Sequence, residues 1–156
     1  MPPAIDRLLE ITKKNRYPVP PGTFRWRFDS GPAWIEATTA YLERINYPSG
    51  RRVWAWDAWH GSHETKDLFL YSFELDYIDE KIIDKTFQLG EQGLRFNHCY
   101  LTSEGLFTCR NALSAKVHIK LDPKTGISTG SFEATFNSPL QPPNGAFNLT
   151  RNPATD

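Results

Sequence analysis

The chain holds two cysteines, Cys99 and Cys109, and the ten-residue offset between them constrains its fold more than any other feature. Between them lies Ser103-Glu104-Gly105, a three-residue hairpin loop whose glycine can take the left-handed conformation such turns need. If Thr102 faces Leu106 across this loop, any residue i faces residue 208 − i, and Cys99 lies directly opposite Cys109. That pair sits two steps beyond Leu101 and Phe107, at a non-hydrogen-bonded position where side chains approach most closely. The spacing therefore predicts an antiparallel hairpin with touching thiols, joined as a disulfide or held reduced in the core.

A chain of 156 residues fits one domain and buries roughly 70% of the surface its unfolded form exposes. The expected division is a helix and proline-rich connector over 1–21, a β body over 22–150 and a tail over 151–156. Basic and acidic residues balance at 18 each, which argues against nucleic acid as a partner. The balance hides a polarity. Residues 1–28 carry six basic side chains against two acids, and residues 57–91 carry nine acids against three lysines. No segment approaches the length of a membrane span, and no basic start leads into an apolar run. By default that reads as cytoplasmic, although two cysteines do not fix the compartment.

Pro3 suits a first helical turn, and Ile5, Leu8, Leu9 and Thr12 follow at helical spacing. Tyr17-Pro18-Val19-Pro20-Pro21 ends that helix as a stiff extended connector. From there the period is two: Phe24, Trp26 and Phe28 share one strand face, with Arg25 and Arg27 on the other. Residues 32–46 fit either a helix after Gly31-Pro32 or a strand turning at Tyr47-Pro48-Ser49-Gly50, with Ile45 facing Val53 and Leu42 facing Trp56. The strand is favoured because its neighbours are β in character. Phe69 to Tyr77 alternates, Ile82 to Leu89 is a weaker strand, and Asp122-Pro123-Lys124-Thr125-Gly126 is a turn that places Val117 opposite Phe132. Phe147 and Leu149 mark a last strand. The whole predicts an all-β fold: an antiparallel β-sandwich or calycin-like barrel of about eight to nine strands with a short N-terminal helix.

Two groups of residues are candidates for function. Asp57, His60, His63 and Glu64 cluster where a tryptophan-rich strand ends, and imidazoles three apart with flanking carboxylates suit zinc or another divalent ion, or acid–base catalysis. Solvated loop histidines are the commoner origin of such a pattern, and the spacing matches no helical metalloprotease motif. The second group is Trp54, Trp56 and Trp59 with Trp26, Trp34 and His60. Trp54, Trp56 and His60 share one strand face, while Trp59 and Asp57 share the other. Such rings either fill a sandwich core or form platforms for sugars, apolar ligands or a protein hot spot. A strand so aromatic on both faces needs packing or a ligand on each. A thiolate site joining Cys99, Cys109 and His98 is disfavoured, because His98 should point away from Cys99.

From Ala115 to Thr150 the run of strand, turn, Gly-Ser-Phe strand and Gly-Ala-Phe strand resembles small bacterial all-β domains of the calycin or sandwich kind. That resemblance implies a fold and transfers no site residues. The leading expectation is a non-enzymatic binding module without a cofactor, using Trp26, Trp54, Trp56, Trp59 and His60 to hold a small apolar or carbohydrate-like ligand or a protein partner. The alternatives are a metal-assisted enzyme built on Asp57, His60, His63 and Glu64, and an inhibitor, immunity or assembly factor. In the last, the acidic stretch or the N-terminal helix makes the contact.

Overall fold

Period-two alternation with wet and dry faces dictates antiparallel sheets packed face to face, and the computed structural model has that form over the residues it describes: 3–14, 22–28 and 33–152. Helix α1 spans Pro3–Lys14. The strands are β1 (Thr23–Phe28), β2 (Ile35–Glu36), β3 (Thr39–Asn46), β4 (Arg52–His60), β5 (Phe69–Asp76), β6 (Ile83–Gln88), β7 (Arg95–Leu101), β8 (Phe107–Asn111), β9 (Ser114–Asp122), β10 (Ile127–Thr135) and β11 (Pro143–Thr150). They form a six-stranded sheet in the order β2-β1-β11-β10-β9-β6 and a five-stranded sheet in the order β3-β4-β5-β7-β8.

Neither sheet closes on itself, so the arrangement is sandwich-like and the barrel alternative is not the one formed. Eleven strands replace the expected eight or nine. β2 is only two residues long, and it exists because Ile35 and Glu36 pair with Trp26 and Arg25 at a sheet edge. Such a pairing leaves no periodic trace in the sequence. The sheets also join at one corner, where Arg151 bridges Leu42 and the Asn152 N–H donates to the Leu42 carbonyl at 2.7 Å.

Several local registers match expectation. Cys99 pairs with Cys109 and Leu101 with Phe107, Gly105 has φ 83°, and the two sulfurs are disulfide-bonded. Ile45 faces Val53, Leu42 faces Trp56 and Val117 faces Phe132, so 39–46 is a strand. The proline-rich connector and Gly31-Pro32 lie outside the described residues.

The main core lies between the sheets. Phe24 and Trp26 meet Trp54, Trp56, Tyr71 and Phe73 there, and each is essentially sealed from water. Trp56 stacks on Phe73 at 5.0 Å and its indole N–H donates to Ser128 Oγ at 3.1 Å, which meets the hydrogen-bond demand of a buried ring. A second layer covers the outer face of the five-stranded sheet. Leu8 and Ile11 of α1 pack there against Tyr41, Trp59, Leu70 and Cys99. Each such buried side chain contributes on the order of 1.5–3 kcal/mol.

Candidate functional site

The alternation in β4 sends its tryptophans to opposite sides of the sheet, and both sides are covered. Trp54 and Trp56 face the interlayer core with Trp26, and Trp59 is buried under α1. None of these four indoles offers a surface platform. The strand is doubly aromatic because sheet packing covers one face and the helix the other. Trp34 is the exposed exception, and the Arg25 and Arg27 guanidinium carbons each lie 4.5 Å from its ring centre. The Trp26 indole N–H is buried and has no hydrogen-bond partner among the described residues.

The four polar residues predicted as metal ligands also separate. His60 is exposed at the end of β4 and Glu64 is exposed in the turn beyond it. His63 turns back to the helix, with Nε2 2.8 Å from Thr12 Oγ1. The Thr12 hydroxyl proton goes to the Leu8 carbonyl at 2.8 Å, so His63 Nε2 is the donor in that contact. Burial, with Lys13 nearby, holds the His63 pKa below the ordinary histidine value. Asp57 lies on the outer face of the sheet, fully buried. Among the described residues no three His, Cys, Asp or Glu side chains converge as metal ligands.

Asp57 belongs instead to an ionic cluster between α1 and the sheet. The Arg7 guanidinium places Nη1 2.6 Å and Nη2 3.2 Å from the two Asp57 oxygens, and Nη2 3.4 Å from Glu74 Oε2. Arg7 Nε donates to Tyr47 Oη at 3.1 Å, the Tyr47 hydroxyl donates to Glu74, and the Ser72 hydroxyl donates to Asp57 Oδ1 at 2.6 Å. Arg51 adds a second cation, 2.9 Å from Glu74 and 3.0 Å from Asp76. Burial works against the Arg7 charge, but Asp57, Tyr47 and Glu74 together outweigh it and raise the pKa well above the usual arginine value. Desolvation, aided by Glu74 and opposed by Arg7, pushes the Tyr47 phenol far up. The basic N-terminus and acidic middle thus meet within one chain. Within the acidic stretch Asp57, Glu74 and Asp76 are held by Arg7 and Arg51, and Glu80 lies 3.0 Å from Arg151.

Beside this cluster the start of α1 and the β7–β8 edge enclose a groove of about 590 Å³. Ile5, Leu89, Leu94, Phe96 and Ala112 supply apolar wall, and Arg95, Asn97 and Asn111 supply the polar groups. Asn97 is only 9% exposed, and its side-chain amide, which bonds to no described residue, opens onto the groove. Its carboxamide offers the groove both a donor and an acceptor. Arg95 is exposed and forms no ion pair among the described residues. A hollow of similar volume on the six-stranded sheet is bordered by Lys116, Glu133, Gln88 and Thr135, a wall suited to water. The sequence pointed to none of the groove residues. A single asparagine on the Cys99 face of β7 was the available sign.

No protein-family model, curated protein or solved structure matches this chain.

Proposed function

We propose that this protein is a non-enzymatic binding module, and that its ligand is a small, largely apolar molecule with one carboxylate end. The ligand lies in the groove between α1 and the β7–β8 edge. One observation carries this reading: a groove of about 590 Å³ that sets apolar side chains beside the Asn97 amide and the Arg95 guanidinium, neither of them bonded to a described residue. The volume falls within the ordinary range for small-molecule sites, roughly 300–1,000 Å³. A ligand chain displaces water from Ile5 and Leu89, while its carboxylate accepts from the Asn97 amide and takes its charge complement from Arg95.

Titration with decanoate at sub-micellar concentration, followed by heteronuclear NMR, tests the reading. Saturable binding is expected, with decanol weaker because it lacks the charge. Asn97→Leu should leave the fold intact, since it removes no hydrogen bond to a described residue. Decanoate affinity should nevertheless fall by about tenfold, the equivalent of one net hydrogen bond. Non-saturable behaviour across straight-chain acids of six to twelve carbons would exclude the proposal, as would unchanged affinity in Asn97→Leu.

A further inference from the structure

Successive residues of a strand point to opposite faces, so His98 faces away from the groove that Asn97 lines. His98 enters the space between the two sheets, at the end closed by residues 137–142. A cavity of about 210 Å³ lies there, walled by Phe28, Phe69, Tyr71 and His98 from the strands and by Pro139, Leu140 and Gln141 from the loop. We propose that this cavity is a second binding site, for a single-ring aromatic molecule that carries one hydroxyl.

Size sets the first limit. A cavity of about 150 Å³ lined by apolar side chains accepts benzene, so this one holds a ring with a small substituent. The walls set the second. The His98 and Phe69 ring centres are 4.2 Å apart, His98 and Tyr71 are 5.0 Å apart, and Tyr71 meets Phe69 edge-on at 5.4 Å. Aromatic faces and edges in this arrangement favour a planar guest over an aliphatic one.

The hydroxyl follows from the histidine. His98 Nδ1 lies 3.0 Å from the Leu70 carbonyl, which can only accept, so Nδ1 carries the proton and Nε2 keeps its lone pair. No described residue donates to Nε2. Burial lowers the His98 pKa to about 4, partly offset by the Leu70 bond, so the ring is neutral near pH 7 and Nε2 remains an acceptor. The Tyr71 hydroxyl also has no hydrogen-bond partner among the described residues. A phenol fits these conditions: its ring fills the aromatic box and its O–H donates to Nε2.

Phenol, p-cresol and toluene titrated into the full-length protein test the site, read by tryptophan and tyrosine fluorescence and by the 15N shift of His98 Nε2. The two phenols should bind saturably and move the Nε2 resonance. Toluene, of the same shape but without a donor, should bind about tenfold more weakly, the loss of one hydrogen bond. Leu140→Trp fills the cavity from its rim and should abolish phenol binding while decanoate binding in the groove is unchanged. His98→Phe should erase the preference for phenol over toluene. If that variant does not fold, the wild-type 15N shift still decides the point. Equal affinity for phenol and toluene, an unmoved Nε2 resonance, phenol binding that survives Leu140→Trp, or no saturable binding would each overturn the proposal.

Discussion

Replacing Arg7 with alanine leaves Asp57 fully buried with its charge uncompensated. Two guanidinium contacts, at 2.6 and 3.2 Å, disappear, and of the hydrogen bonds described only that from the Ser72 hydroxyl remains. Glu74 is less affected because Arg51 still lies 2.9 Å from it. Breaking one side of a buried ion pair costs about 3–5 kcal/mol. The Arg7 side chain is 12% exposed, so the lower end of that range, about 3 kcal/mol, applies. Urea unfolding followed by tryptophan fluorescence is the assay, because Trp59 lies beneath α1 and reports its docking. Asp57→Asn and the double variant complete a thermodynamic cycle. A coupling energy of about 2–3 kcal/mol is expected, against 0–1 for an exposed pair such as Arg151 with Glu80. Leu8→Ala is the control for simple undocking and costs about 2–5 kcal/mol through its cavity. If Arg7→Ala loses less than about 1 kcal/mol, or the cycle is additive, the cluster does not hold the helix and the reasoning fails.

Two further predictions concern the interior. His98 has a folded pKa of about 4 against 6.5 when unfolded, so it binds its proton more readily in the unfolded chain. Its share of stability is fully present above pH 6.5 and is lost as pH falls towards 4. With about 1.4 kcal/mol per pKa unit the loss is about 3 kcal/mol. A His98→Gln variant, compared with wild type in urea at pH 7 and pH 4.5, should lack this part of the decline; an identical decline would show that His98 is not the group responsible. Reducing the Cys99–Cys109 bond, which closes a loop of sequence separation 10, should lower unfolding free energy by about 2–3 kcal/mol. Guanidinium melts with and without dithiothreitol measure this, and superimposable curves would contradict it.

Local pairings were legible because a turn and a period of two determine them together. Gly105 with the cysteine spacing, and Asp122-Pro123 with the apolar faces of Val117 and Phe132, left one sensible register each. The pairings of β1 with β11 and β6 with β9 were not legible. Alternation says which face of a strand is dry but not which distant edge it meets. The same gap hid the covering of β4 by α1. The faces of Trp54, Trp56 and Asp57 were assigned correctly, but nothing in β4 shows that a helix about fifty residues earlier covers the Asp57 side. The clue was the charge polarity, a basic N-terminus complementing an acidic middle, and it reads as an intramolecular contact only once both segments share a sheet face. Asn97 escaped notice because an asparagine within a strand looks the same whether its amide meets water, a neighbour or a ligand.

The most direct test of the groove as the binding site is chemical-shift mapping of decanoate on isotope-labelled protein. The account predicts the largest changes at Ile5, Leu89, Leu94, Asn97 and Asn111, with the indole resonances of Trp54 and Trp56 unmoved. Changes centred on Trp34 and its flanking arginines, or scattered without a focus, would contradict it.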